Sequence, residues 1–223
     1  MLIVLAPAAS TDLTTLDAAK VECGPAGAAD GAAVAALVRQ ASAACARFCN
    51  RRTFARETYR QTEWAGYRAP LGPWSAGPWD AWPGEPGPGG GIMLAADLEP
   101  DVSAVAVDGT TLDPAEWTVA DGMLYRRAAG GGAACGLGWS GEVVVDYAAG
   151  FELPEGLPGD IERACLLAVR AWFFARGRDP YLRSDTTEGV GTVAYATAPA
   201  VAGGALPAEA AALLAPWRRV GGF

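Results

Sequence analysis

Cys45 and Cys49 stand four residues apart in "DGAAVAALVRQASAACARFCN", a spacing that puts two thiols on one side of a helix, where a soft metal would need two further ligands. The same spacing matches the apolar stripe of that helix, and a small thiol packs in a core like any other small hydrophobe. We read the pair as core, and no metal site is expected. Glu152 and Glu155 form a close carboxylate pair, but they fall in a Pro/Gly-rich link ahead of a helix, where acids serve solvation and the helix dipole. The chain contains no histidine. That removes Ser-His-Asp and Cys-His hydrolases, histidine-ligated zinc sites and histidine general bases together. Lys20 is the sole lysine, which argues against a Walker-type phosphate loop or a Schiff-base enzyme, and "GPGGG" has no Gly-Lys-Ser/Thr after it. Gly189-Val190-Gly191 lacks the strand and helix of a dinucleotide fingerprint. No enzyme activity, catalytic residue or cofactor is therefore expected.

One group remains that could bind something. Trp64, Tyr67, Trp74, Trp79 and Trp82 sit in the proline- and glycine-rich stretch "WAGYRAPLGPWSAGPWDAWPGEPGPGGG". Such rings can fold back over a neighbouring β face, anchor a protein interface, or stack on sugar rings. The last use would make the chain a secreted or surface carbohydrate-binding module, the alternative function for this sequence.

The elements that would position these residues follow from composition and period. With 223 residues and 51% hydrophobic content the chain can bury a real core. A net charge of −8 and a pI near 4.6 oppose general nucleic-acid binding, which needs a positive field. The charges are unevenly spread: arginines gather from Arg39 to Arg68, and acids from Asp80 to Asp121. Five cysteines without a disulfide-like framework suggest reduced thiols. "MLIVLAPAAS" imitates a signal peptide, with too short an apolar run and no positive start. No apolar stretch is long enough to span a bilayer, so no membrane partner is expected.

Thr14-x-x-Asp17 resembles a capping box for a short helix stopped at Gly24-Pro25. Asp30 caps a longer helix ending near Asn50, with Val34, Leu37, Val38, Ala41, Cys45, Phe48 and Cys49 as its stripe. From Thr53 the period becomes that of strands. A strand to Trp64, the long loop, and then "IMLAAD", "VSAVAVDG", "EWTVADGMLYRR" and "EVVVDYAAG" make a small antiparallel β region with turns at Asp108-Gly109 and Asp121-Gly122. "LPGDIERACLLAVRAWFFARGRDP" restores a helix that is apolar nearly all round, so it is either central to the domain or covered by a second copy. After a glycine-dotted connector with a possible β segment at Thr192 to Tyr195 comes "LPAEAAALLAPWRRVGGF", about two turns of helix stopped by Pro216. So short a helix is unstable alone in water and must dock somewhere. Leu206 to Phe223 therefore docks on its own domain or on a neighbour, and the expectation taken forward is that another polypeptide covers it.

Taken together, the fold class expected is α+β: a helical core with an inserted small antiparallel β region and a C-terminal docking arm. It is read as one domain over 1–223, comprising N-terminal helices in 1–52, a β region in 53–150 with its loop in 64–91, a core helix in 151–180, and a connector and arm in 181–223.

The order of these pieces carries a resemblance. "LTTLDAAK", a helix running into "ARFCNRRTF", "VSAVAVDGTTLDPAEWTV", "VVVDYAAGFELP", "DIERACLLAVRAWFFARGRDP" and "LPAEAAALLAPWRR" together resemble the head-to-tail connector (adaptor) family of long-tailed bacteriophages and gene-transfer particles. The match spans nearly the whole chain, and "CGPAGAADG" and the enlarged Trp/Pro/Gly loop depart from it. The resemblance implies a non-enzymatic virion protein, made in the host cytoplasm and placed in the neck below the portal. It implies a homo-oligomeric ring of twelve subunits between the portal and the next tail-completion (stopper) or tail protein, with genome DNA passing through the lumen without specific binding.

On that reading three sets of residues acquire roles. Leu206, Leu213, Leu214, Trp217, Arg218, Arg219 and Phe223 form a portal-binding arm. Trp172, Phe173, Arg163, Arg170, Arg51 and Arg52 belong to the contact between subunits, where a basic segment meets an acidic one. Asp97, Glu99, Asp101, Glu152 and Glu155 line or approach the lumen, where negative charge keeps phosphates from being gripped.

Overall fold

The computed structural model describes residues 1–65, 91–127, 138–176 and 206–219, and the backbone of 184–187 and 191–194. Two compact units are present, each closed by the return of the chain: Met1–Ala9 with Arg56–Phe151, and Ser10–Ala55 with Glu152–Phe223.

The described residues of the first unit are β strands and connections apart from one 3-10 turn. Its strands are β1 (Leu2–Ala6), β2 (Glu57–Ala65), β3 (Ile92–Met93), β4 (Asp101–Val107), β5 (Thr110–Thr111), β6 (Trp117–Ala120), β7 (Met123–Arg126) and β8 (Gly141–Ala149). Every pairing is antiparallel, in a five-stranded sheet of order β1-β2-β8-β4-β5 and a three-stranded sheet of order β3-β7-β6. Strict alternation decides which face is buried. Tyr59 and Gln61 of β2 stand opposite Tyr147 and Val145 of β8, and all four are buried. Val105, Val143, Leu94, Leu124, Ile92 and Trp139 complete the core. The Tyr59 and Tyr147 rings tilt against each other with centroids 5.6 Å apart.

The polar atoms of Tyr147 and Gln61 are matched inside this core, while Trp117 Nε1, packed against it, is buried without a hydrogen-bond partner. Tyr147 Oη donates to Gln61 Oε1 at 3.0 Å and accepts from the Ala96 amide at 3.1 Å. Gln61 also donates to the Met93 carbonyl at 2.9 Å and accepts from the Ala95 amide at 2.8 Å. These bonds tie the segment after β3 to the large sheet. Both Asp-Gly hairpins turn as expected: Asp108 and Gly109 have φ of 47° and 76°, and Asp121 and Gly122 have φ of 50° and 73°. Two successive positive φ values are what a two-residue hairpin requires to match strand twist.

The second unit holds α1 (Leu16–Ala29), α2 (Gly31–Phe48), α3 (Gly159–Ala175), the two-stranded antiparallel ribbon β9 (Ser184–Thr187) and β10 (Gly191–Ala194), and α4 (Ala208–Leu214). The cap of α1 is Thr15, whose side chain accepts from the Ala18 amide, and not Thr14. Thr14 is buried and donates to Glu162 Oε1 of α3 at 3.0 Å. Gly24, with φ 67° and ψ −160°, interrupts α1 at the expected place, and Pro25 then starts a further turn instead of ending the element. Asp30 caps α2 as expected, accepting from the Ala33 amide at 3.3 Å.

The chain is thus a mixed α+β protein with its β region inserted between helices, as expected. Leu2–Ala6 adds what the sequence reading lacked, an N-terminal strand on the edge of the large sheet.

Candidate docking surfaces

The last described stretch is the natural starting point, because its helix is too short to stand alone. α4 packs on α3 and on α2, and Leu206, Ala210, Ala211 and Leu214 are buried there. The 3-10 turn Ala215–Trp217 follows, and the end of α2 then grips the backbone. The Arg219 amide donates to the Cys49 carbonyl at 3.0 Å, and Asn50 Nδ2 donates to the Arg219 carbonyl at 3.2 Å. Arg51 Nε donates to the Trp217 carbonyl at 3.0 Å, and the Cys49 thiol to the Leu214 carbonyl at 3.6 Å. The Arg218 guanidinium lies 5.1 Å from the centre of the Phe48 ring.

This corrects the expectation that another polypeptide covers the arm. Residues 206–219 dock on their own helical unit, because α3 offers an apolar face that Leu206 and Leu214 fill. Leu213 and Trp217 are half-buried, and Arg218 is exposed while stacking on Phe48. Phe223 lies outside the described residues.

α3 answers the question raised by its all-round greasiness only in part: Leu166, Leu167 and Trp172 are half-buried and Phe174 is exposed. It is the central helix of its unit, packed by α1, α2 and α4, and Ile161, Ala164, Cys165, Ala168, Val169 and Phe173 are buried. Among the residues expected at a subunit contact, Phe173 is covered by its own chain: the Phe174 ring meets it edge-on at 5.5 Å and the Arg176 guanidinium sits 4.3 Å from its centre. Trp172 is half-buried. Arg163 and Arg170 converge on one carboxylate, Glu22 of α1, Arg163 on Oε1 and Arg170 on Oε2 at 3.8 Å. Arg51 holds the arm as described, and Arg52 lies on the same short link after α2.

The acids expected near a lumen divide between the units. Asp97, Glu99 and Asp101 belong to the β unit, and Glu152 and Glu155 to the helical one. Asp97 packs over a hairpin turn, where a Cβ on Gly122 would come within 3.0 Å of its own. Glu99, Asp101, Glu152 and Glu155 are exposed. One pair between the basic and acidic segments, Arg56 with Asp101, is made inside the chain, and Arg60 takes an acid outside the acidic segment. Arg56 Nη2 reaches Asp101 Oδ2 at 3.2 Å, and Arg60 grips Asp146 directly across the β2–β8 register with two bonds of 2.7 and 2.6 Å. The Arg60 hydrogen bonds hold the Asp146 carboxyl below the usual range against the opposing effect of burial.

With that geometry in place, the chain can be set beside known proteins. Its fold is that of chains in gene transfer agent particles. One similar structure is described as "Virion of native gene transfer agent (GTA) particle"; the TM-score is 0.53 and the identity 18%, covering 100% of this chain and 97% of the other. A second is the "Neck of empty GTA particle computed with C6 symmetry", with a TM-score of 0.50, 19% identity and the same coverage. No protein-family model and no curated protein matches the sequence.

The surfaces left over were partly hidden from sequence reading. In the β unit, Met1, Leu2, Ile3 and Leu5 are exposed on and beside β1, an apolar edge strand. The signal for it was present in "LIVLA", but a short apolar run at a chain start also resembles a leader. Trp64, at the end of β2, is 76% exposed; Tyr67, Trp74, Trp79 and Trp82 lie outside the described residues. In the helical unit, Val21 is 80% exposed and Phe174 60%. Leu16 of α1 is exposed as well, and Phe174 belongs to the second apolar side of α3 that makes that helix greasy nearly all round. Among the described residues there is no group of three or more cysteines and carboxylates placed to hold a metal, and no helix long and apolar enough to cross a membrane.

Proposed function

We propose that this chain is a structural neck component of a particle of the gene-transfer-agent type, acting as the head-to-tail connector. Twelve copies form a ring that seats on the portal, receives the next tail-completion protein and lets DNA pass through its lumen. The observation that carries this reading is the likeness in fold over the whole chain to chains of GTA particles, one of them a neck, which agrees with the ordered set of motifs read from the sequence. The sixfold symmetry of that neck is compatible with a ring of twelve, since six divides twelve. The function needs no reaction, and no residue is assigned one.

Surface chemistry supports the reading in two ways. A hydrophobic edge strand such as β1 is an aggregation hazard in a free protein, and a ring neighbour that covers Leu2, Ile3 and Leu5 removes it. The exposed acids Glu99, Asp101, Glu152 and Glu155 suit a channel that must not hold DNA, because they repel phosphates within a screening length of about 8 Å. Since Leu206 and Leu214 serve the chain's own core, the portal contact of the arm falls to those of its predicted residues that are not fully buried, Leu213, Trp217 and Arg218.

Co-sedimentation with the portal ring of the same particle tests this. The wild-type chain is expected to sediment with the portal, and Trp217→Ala/Arg218→Glu to remain largely in the supernatant. Equal retention of both would remove the arm from the contact. Failure of the wild-type chain to bind the portal or a portal–stopper complex would overturn the connector reading.

A further inference from the structure

We propose that the ribbon β9–β10 of one copy adds its β10 strand to the open edge of β1 in the next copy, extending the five-stranded sheet across the boundary between copies. This deepens the ring reading above and rests on it for the placement of copies side by side. The acceptor follows from the ladder. β1 is the end strand of its sheet, and Met1 and Thr62 exchange backbone bonds in both directions. In an antiparallel pair such exchanges fall on every second residue, so Ile3 and Arg60 make the next one, and the N–H and C=O groups of Leu2 and Val4 face the open edge. Leu2 and Ile3 are each 40% exposed and Leu5 48%, so these backbone groups are framed by apolar side chains. The charge or proline that would blunt such an edge is missing from "LIVLA", and the one irregularity, between Val4 and Ala6, falls at its far end.

The donor is the other unsatisfied element. β9 and β10 pair with each other, and among the described residues no third strand joins them. A lone two-stranded ribbon is marginally stable in water and gains from a third strand. Charge then selects both the occupant and the strand. The β unit has thirteen carboxylates against five arginines and so carries the chain's whole net charge of −8, whereas the helical unit has twelve carboxylates against twelve cations. Pairing two β1 edges would press two acidic units together, while the ribbon brings a neutral unit to an acidic one. Within the ribbon, β9 carries Asp185 and β10, Gly191-Thr192-Val193-Ala194, carries no charge, so β10 is the strand that meets β1. Donor and acceptor belong to different units, so the contact is heterologous: each copy gives one ribbon and receives another, and the series closes when the copies form a ring. Area sets the conditions. A four-residue strand buries on the order of several hundred Å², short of the roughly 1,000 Å² of a self-sufficient interface. The contact therefore forms where a portal holds neighbours at high effective concentration, and not in dilute solution.

Cysteine cross-linking of the full-length chain tests this. Ile3→Cys is combined in turn with Thr192→Cys, Val193→Cys and Ala194→Cys; each variant is assembled on the portal ring, oxidised briefly with copper phenanthroline, alkylated and separated without reductant. Opposed residues of adjacent strands bring their Cβ atoms to about 4.5–5.5 Å, close enough for a disulfide in at least one of the three registers. The expected result is a ladder of linked multimers from at least one combination and none from the single variants. A mixture of the Ile3→Cys chain with a chain bearing only the second cysteine is expected to give a linked heterodimer, which requires a contact between copies. Leu2→Pro removes one N–H of the open edge and leaves the Ile3–Arg60 exchange in place, so it is expected to cut the linked fraction about tenfold. No multimers from any combination on a portal that has captured the chain, or links confined to single chains, would overturn this inference and leave the connector reading standing. A portal that captures no chain overturns the connector reading; the same combinations are then oxidised in the free chain at millimolar concentration, where absence of links overturns the ribbon contact as well. The cross-links decide even if Leu2→Pro fails to fold.

Discussion

Leu213 and Leu214 are neighbours with the same side chain, and the structure gives them different fates. Leu214 is 0% exposed, whereas Leu213 is half-buried. Truncating a fully buried leucine costs about 2–5 kcal/mol, through lost transfer energy and the cavity left behind. A partly exposed one costs about 1 kcal/mol or less. Because α4 has seven residues, it cannot persist as a helix once released, so the loss should appear first as arm detachment. The hydrogen bonds from Cys49, Asn50, Arg51 and Arg219 contribute about 0.5–1.5 kcal/mol each and keep the detached state minor even in the variant. Leu214→Ala is therefore expected to raise amide exchange across residues 208–219 by roughly 30- to 4000-fold, at about tenfold per 1.4 kcal/mol, and to expose the bond after Arg219 to trypsin. Leu213→Ala is expected to change exchange by less than about tenfold. Equal exchange in the two variants, or an arm already unprotected in the wild type, would refute cis docking.

Three further outcomes follow from the geometry. Tyr147→Phe leaves the Ala96 amide and Gln61 Oε1 short of a partner in the β core, so urea unfolding of that unit should show a loss of about 1–3 kcal/mol; a change below about 0.5 kcal/mol would contradict the network. Asp146 has a carboxyl pKa depressed by Arg60, so the stability from this pair is present above the unfolded carboxylate value near 3.9 and is lost as pH falls through the folded value. The urea midpoints of wild type and Asp146→Asn should accordingly differ at pH 7 and converge in strong acid, and a gap independent of pH would count against it. Burial pushes the Cys49 thiol up to about 11, so its neutral form stabilises the fold fully below the unfolded value near 9, and that stability is lost as pH rises from there through 11. Melting temperature against pH should show this decline in the wild type and a flatter curve in Cys49→Ala.

Much of the architecture was legible because local chemistry and period agreed. The Asp-Gly pairs at 108–109 and 121–122 fix two hairpins by themselves, and Asp30 marks the start of α2 to the residue. The Val/Tyr alternation of Glu142 to Tyr147 could only be a half-buried strand, and it became the central β8. Sequence reading failed where a residue's partner lay far along the chain. Thr14 and Thr15 are equivalent caps on paper, and only Glu162, on a distant helix, takes Thr14 out of that role. The arm's short helix correctly demanded a partner, yet nothing local says whose surface supplies it; the answer rests on α3 having an uncovered apolar face and on the donors at Cys49 to Arg51. Likewise Arg56 and Arg60 read as free basic charge until the strand register places Asp101 and Asp146 beside them.

The central claim, that the chain works as a ring on the portal, is most directly tested by the mass of the complex in solution. Size exclusion with light scattering on the portal ring mixed with excess protein should show a gain of about 275 kDa, twelve copies of 22.9 kDa. A portal peak of unchanged mass, with the protein eluting apart from it, would contradict the account.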